Sequence, residues 1–386
     1  MPHAWTVVGC AFVVAMCGWG FGFYGPGIYM AELHRLHGWP TSIVSTAVTL
    51  FYLVSAVLIV FVADAFERFG PRRVVLAAGA AMALGVALLP LAWAPWQVFP
   101  IFLVMAVGWA GMSGAAVNTL VAPWFGARRG LAVSLALNGS STGGIVVAPL
   151  LIFVIGRLGF RTGLHVAVAA MLMVMAVATL AFRRRPPEGG PTDAAAALSR
   201  QAVLRDRRFA TMCVAFALGL LAQVGFLTHQ VPYLLTFVDP AGAGLAVSLT
   251  TIAALTGRTA TGFVVDRLDP RLVSAANFAV QAVALALLIR AETAGIVYVG
   301  CVLLGLSVGN MVTLPSMIVQ AEFPPEAFGR VISLLLSINQ FTFAFGPAIL
   351  GALRDWWGDY GAAFALCLGL QTVAAIVVLT GRPPRP

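Results

Sequence analysis

Arg258 is the residue whose chemistry most needs explaining. Gly244 to Gly257 carries no charge, Arg258 follows at once, and Asp266 comes eight positions later. On a helix rising about 1.5 Å per residue, the Arg258 Cα lies roughly 12 Å inside the charged helix end. An arginine inside an apolar span is costly unless it faces a polar cavity or a partner, so its default reading is functional. That reading is a fixed cation in a transport pathway, suited to an anionic substrate. The structural reading is an arginine that snorkels to the cytoplasmic face or pairs with a helix end.

Amides and a phenol fall at comparable depth. By the same rise, Asn138, Asn310, Asn339 and Gln340 lie roughly 13–18 Å from the cytoplasmic ends of their spans, and Tyr52 near 18 Å. With Arg258 they form a candidate substrate-binding set. Arginine can grip a carboxylate bidentately while neutral donors hydrogen-bond the rest of the ligand. The other reading of each amide, a common one, is a bond between helices. His229 lies 21 residues from the cytoplasmic end of its span, nearer the outside. It is a candidate proton carrier or outer gate, or else a hydrogen-bonded residue near the interface. The string N-G-S-S-T-G-G from Asn138 reads as close helix packing and not as a phosphate loop, since it has no lysine. All fourteen acids fall at span ends or in loops. No nucleophile–base pair or metal cluster stands at any span end. No catalytic residue, metal or cofactor is therefore expected, and the chain is not read as an enzyme.

The elements that position these groups follow from composition. The 386 residues are 60% hydrophobic and 10% charged, against roughly 25% charged in soluble domains. The net charge of +9 is not a nucleic-acid signal, because it sits in short loops between apolar runs. All 23 basic residues are arginine. The five cysteines lie within apolar runs without metal spacing, as buried free thiols do. Twelve spans are predicted near 5–31, 43–65, 73–93, 97–122, 129–155, 162–182, 208–236, 243–266, 272–290, 294–320, 328–353 and 360–380. Helix is required, because lipid offers backbone groups no other partner. The first span begins without a basic region and is not read as a cleaved signal. Residues 183–207 read as a cytoplasmic linker between an N-terminal half, 1–182, and a C-terminal half, 208–386. With both termini cytoplasmic, inner segments carry seventeen arginines and outer loops five, Arg258 completing the 23.

The halves echo each other. After span 2 the chain reads A-D-A-F-E-R-F-G-P-R-R from Ala63, and after span 8 it reads G-F-V-V-D-R-L-D-P-R from Gly262. Two copies at equivalent places indicate a parallel repeat. Acids and arginines at helix ends can pair with each other and with neighbouring helix ends. Glu67, Arg68, Arg72, Arg73, Asp266, Arg267 and Arg271 are therefore read as a cytoplasmic latch that holds one of two arrangements, the alternative being plain topogenic charge.

This pattern resembles the major facilitator superfamily, and within it the monocarboxylate porter and oxalate–formate antiporter group. The strings that carry the resemblance run the length of the chain. They are H-G-W-P-T-S from His37, R-F-G-P-R-R-V from Arg68, W-F-G-A-R-R-G-L-A from Trp124, N-G-S-S-T-G-G from Asn138, H-Q-V-P-Y-L from His229 and G-R-T-A-T-G-F-V-V-D-R from Gly257. The resemblance implies an all-α membrane protein of twelve transmembrane helices in two six-helix halves. It also implies a cavity lined by spans 1, 2, 4, 5, 7, 8, 10 and 11. Spans 3 and 12 are nearly free of strong polar groups, which suits a peripheral place. Ala63 and Glu67 stand where the family usually has glycine and aspartate. Ala254 stands where animal monocarboxylate porters carry an aspartate, and the group's lysines in spans 1 and 11 are missing. Ala63 and Glu67 are mild departures; Ala254 and the missing lysines count against classical proton coupling and against a dianion.

The expectation is a secondary or facilitative transporter of a small organic anion, a monocarboxylate, working by alternating access. Its partners are that anion and the lipid bilayer, with no nucleic acid, and it is expected to work as a monomer in a bacterial inner membrane. Two alternatives stay open. One is an exporter of drugs or hydrophobic compounds with the same fold, which would favour a cavity acid. The other is a membrane sensor or scaffold that transports nothing.

Overall fold

The computed structural model describes residues 2–125, 129–180, 200–265, 268–324 and 327–381. Among them the chain is helical throughout, with no strand. Twelve helical segments are long and apolar enough to cross a membrane. They are span 1 (Ala4–His37), span 2 (Thr41–Ile59), span 3 (Pro71–Leu91), span 4 (Pro95–Val121), span 5 (Ala132–Leu158) and span 6 (Phe160–Ala178). The rest are span 7 (Arg207–Leu234), span 8 (Pro240–Thr261), span 9 (Pro270–Ile289), span 10 (Ala294–Glu322), span 11 (Val331–Trp357) and span 12 (Gly361–Thr380). Each overlaps the segment expected from the sequence. Span 1 runs past residue 31 because its polar last turn stays helical until Gly38, at φ +66°, whose N–H donates to the His34 carbonyl at 2.8 Å. A left-handed glycine followed by proline ends a helix sharply.

Packing separates two compact units. One comprises Met1–Pro191 with Gln230–Ser248, the other Thr192–His229 with Leu249–Pro386. In the first unit, spans 1 and 5 meet backbone to backbone. A Cβ on Gly143 would lie 2.8 Å from the Gly20 nitrogen and the Met16 carbonyl oxygen, and one on Gly139 would overlap the Phe12 carbonyl. Both spans carry a wide π-type turn at this contact, Gly20–Tyr24 and Gly143–Val147. Such turns bend a helix locally.

The second unit repeats the device elsewhere. Span 8 lies against span 10 so closely that a Cβ on Gly257 would overlap the Leu306 carbonyl, one on Gly305 the Thr250 carbonyl, and one on Gly309 the Ala254 carbonyl. Small residues let membrane helices approach where no water-driven force holds them. Span 10 itself is interrupted at Gly309, between helices Ala294–Val308 and Asn310–Glu322.

Tryptophans mark two of the turns between spans. Trp93 and Trp96 lie between spans 3 and 4, and Trp356 and Trp357 end span 11; all four are exposed. Amphipathic rings gather at the membrane–water boundary.

Candidate functional site

Arg258 lies inside the helix Pro240–Val265, seven residues before its end. That is about 10 Å of helix. The residue is half-buried. Its place is set by the glycine contact with span 10: a Cβ on Gly309 would sit 3.2 Å from the Arg258 Cβ. The arginine therefore stands beside the interruption in span 10, where the helical ladder is broken. Discontinuous helices at membrane depth are tolerated where they are packed in protein or line a cavity, and in transporters they commonly border the substrate.

Asn310 is the next residue after that interruption, and it is buried. Its Nδ2 donates to the Asn277 Oδ1 of span 9 at 2.9 Å and to the Leu306 carbonyl at 3.3 Å. Asn277 in turn donates to the Met311 sulfur at 3.6 Å. Asn310 is thus committed to span 9 through its donor, while its Oδ1 has no hydrogen-bond partner among the described residues. Asn339 in span 11 is buried with its Oδ1 in the same condition. Gln340 beside it is half-buried. These four residues belong to the second unit.

Tyr52 and Asn138 belong to the first unit. Tyr52 is buried among aromatic rings, with Phe51 at 4.9 Å, Trp109 at 6.3 Å and Phe23 at 6.4 Å between centroids. Asn138 is half-buried, and its backbone carbonyl accepts from the Thr142 hydroxyl at 3.2 Å.

His229 is fully buried in span 7 of the second unit. Its Nε2–H donates to the Pro347 carbonyl of span 11 at 2.9 Å, and its Nδ1 faces the Tyr360 hydroxyl at 3.3 Å. Tyr360 lies between spans 11 and 12; because the Pro347 carbonyl can only accept, Nε2 carries the hydrogen of the neutral ring and Nδ1 accepts from the Tyr360 hydroxyl. Both ring nitrogens are thereby occupied, and the histidine ties span 7 to the start of helix Gly346–Trp357.

The expected latch residues separate. In the first unit the Arg68 guanidinium lies 5.2 Å over the Phe69 ring, Arg73 and Glu67 are exposed, and the Arg72 Nε has no partner among the described residues. Asp266 and Arg267 lie outside the described residues. Arg271 is fully buried in the second unit. Its Nε donates to Glu322 at 2.6 Å and its Nη2 to the same carboxylate at 2.8 Å. The remaining donors reach the Thr211 hydroxyl at 3.0 Å and the carbonyls of Val378 at 2.9 Å and Arg208 at 2.8 Å. Five contacts fasten the ends of spans 7, 9, 10 and 12, which suits the planar fork of an arginine. Nearby, Asp206 caps span 7, accepting from the Arg208 amide at 2.8 Å and from the Arg208 guanidinium at 2.7 Å. The Arg208 side-chain hydrogen bond holds the Asp206 carboxyl below its usual range.

Sequence reasoning missed Glu322 and a row of buried amides. The Gln281 Nε2 donates to the Gln223 Oε1 at 3.1 Å. The Gln371 Nε2 donates to the Gln281 Oε1 at 2.7 Å and to the Gly219 carbonyl at 3.0 Å. Span 12 is therefore not free of strong polar groups: Gln371 is buried there and binds spans 7 and 9. The signal was present in span 9, where Asn277 and Gln281 stand four residues apart on one helix face.

Residues 7–237 and 230–386 match the family model described as Major Facilitator Superfamily. The chain is 28% identical to monocarboxylate transporter 3 of Rattus norvegicus, over 97% of this chain and 79% of that one. It is 25% identical to the aspyridones efflux protein apdF of Emericella nidulans, over 98% and 76% of the two chains. It is 28% identical to MFS-type transporter 1 of Ophiocordyceps sp. (strain BCC 1869), over 82% and 71%. Among solved structures it superposes on the nucleoside transporter NupG with a TM-score of 0.80 over 99% of both chains, at 13% identity. The inward-facing, unoccupied bacterial homologue of the lysosomal transporter Spinster gives 0.72 over 99% of this chain and 96% of that one, at 12% identity. Those two likenesses carry the fold alone.

Proposed function

Since the chain belongs to the Major Facilitator Superfamily and is an integral membrane transporter of a small molecule and not an enzyme, we propose that its cargo is a small organic anion, a monocarboxylate, bound by Arg258 during alternating access. One observation carries the reading: a half-buried arginine within span 8, packed beside the interruption in span 10. A permanent cation in that setting favours a negative ligand, and its fork suits a carboxylate. The similarity to a protein named monocarboxylate transporter 3 supports the same class. Asn339, whose buried Oδ1 lacks a partner among the described residues, is the amide best suited to meet a ligand hydroxyl or amide. Asn310 has its donor committed to Asn277, which favours the interhelical role for it.

In this reading the sequence divides six spans on each side of a cytoplasmic linker, with both termini cytoplasmic and the monomer sufficient. The test is ligand-induced thermal stabilisation of the purified protein across a panel of organic acids. A monocarboxylate that raises the midpoint in the wild type and not in Arg258→Gln supports the proposal; a panel without any such acid sinks it. Export of a hydrophobic compound is the second reading, favoured by the similarity to a protein named as an efflux protein. It predicts stabilisation by neutral lipophilic compounds that is indifferent to Arg258→Gln.

A further inference from the structure

The first unit contains a cavity of about 430 Å³ at the turn from span 2 to span 3, and none of the candidate substrate residues named above lines it. Its walls come from the end of span 2, the helix Val62–Phe69, span 3 and span 4. Eleven of its twelve lining residues are apolar; the twelfth is Arg73. Phe61 and Phe69 line it and are exposed, as is Val107 on span 4, so it opens on the outer surface of the unit. Water is a poor occupant of such a place, because it finds almost no polar partners there. A long hydrocarbon chain is a good one.

The rim adds charge. Arg73 is exposed, and the Arg68 guanidinium lies 5.2 Å over the ring of Phe69, which is itself part of the wall. Asp64 and Glu67 lie on the wall helix Val62–Phe69 itself, and with Arg68, Arg72 and Arg73 the segment 64–73 carries one net positive charge (three minus two). Neither acid lines the cavity. A hydrocarbon slot ending at an arginine calls for an amphiphile with an apolar tail and an anionic head. In a membrane that amphiphile is the lipid itself. Arginines at the membrane surface recognise anionic headgroups with about 1 kcal/mol each.

We propose that this groove is a binding site for an anionic phospholipid, whose acyl chain lies against Phe61, Phe69 and Val107 and whose headgroup, net negative because no cationic group offsets its phosphate, pairs with Arg73. The site is independent of the transported substrate, and its test reads no transport.

The experiment uses the full chain purified in detergent. Lipid retention is measured by native mass spectrometry, and the thermal midpoint is followed with added phosphatidylglycerol, phosphatidylcholine or inorganic phosphate. The wild type should retain phosphatidylglycerol about fivefold better than phosphatidylcholine, the factor that one such arginine contact confers. Arg73→Gln, a change at an exposed position, should reduce that preference to parity. Ala77→Trp places a ring into the groove from an exposed position of span 3 and should lower retention of both lipids. Inorganic phosphate should leave the midpoint unmoved. Equal retention of the two lipids by the wild type would overturn the proposal. So would a preference that survives Arg73→Gln, retention unaffected by Ala77→Trp, or a stabilisation that phosphate alone reproduces.

Discussion

A single cation within span 8 makes demands that a neutral side chain would not. Arg258→Lys keeps the charge and loses the planar fork, so anion binding should weaken while the preference for anions remains. Arg258→Gln removes a charge-assisted contact worth about 1.5–3 kcal/mol, which corresponds to roughly ten- to a hundredfold weaker binding. The fold should survive both changes, because an arginine in an apolar span does not come free. Titration calorimetry paired with thermal unfolding of the three proteins checks this; equal anion affinity in wild type and Arg258→Gln would return the residue to a structural role. A second residue speaks through pH. The Asp206 carboxyl is held below its ordinary range by Arg208. Its folded pKa is depressed, so its stabilising contribution is complete above the unfolded value of about 3.9 and is lost as pH falls through the folded value. Asp206→Asn should therefore flatten the acid side of the curve of thermal midpoint against pH, relative to wild type.

Helices add constraints that no isolated residue carries. Glu322 ends span 10 and neutralises the fully buried Arg271, which also holds the first turn of span 7 and the last turn of span 12. Removing one partner of such a pair typically costs about 3–5 kcal/mol, whereas replacing both by apolar groups can be nearly neutral. Glu322→Ala should lower stability by that order, and Arg271→Met with Glu322→Leu should recover much of the loss. Chemical denaturation of the single and double variants decides the matter; a double variant as unstable as the single one would refute the argument. The glycines make a sharper contrast. A Cβ on Gly257 would overlap the Leu306 carbonyl, while one on Gly369 in span 12 meets nothing within 4 Å. Gly257→Ala should destabilise by driving spans 8 and 10 apart. Gly369→Ala should be neutral or gain up to about 1 kcal/mol of helix propensity. Matching midpoint shifts from the two substitutions would contradict the packing described.

The architecture as a whole was the most legible part, because lipid allows so few solutions. Twelve apolar runs had to be helices, and each observed span overlaps its expected segment. The arginine bias adds a prediction about orientation. A cysteine introduced at Pro187 should react with a membrane-impermeant reagent only in opened cells, and reaction in intact cells would reverse the assignment. The candidate site was legible only in part. Arg258 announced itself as a lone charge in an apolar run. The carboxylate that meets Arg271 is 51 residues away and its Val378 contact 107, distances over which spacing carries no information. Asn310 could be placed at depth from sequence, but its turn toward Asn277 depends on how spans 9 and 10 face each other. The lipid groove was invisible for the same reason, since its walls come from three spans and a short connecting helix that only packing assembles.

The buried amide row has a consequence for biosynthesis. Gln281 and Gln371 are 90 residues apart in the chain, yet one amide supplies the other's hydrogen bond. A ribosome adding about 5–20 residues per second leaves span 9 waiting roughly 5–20 s for its partner. During that interval the Gln281 carbonyl and the Val378-facing donor of Arg271 have not met their final contacts. Span 12 thus closes the second unit from within, although it is made after spans 7 and 9, which it fastens. A nascent chain released before Gly361 would present two unmet polar groups on span 9 to the membrane's quality-control machinery, and the length of the chain would be read there as chemistry.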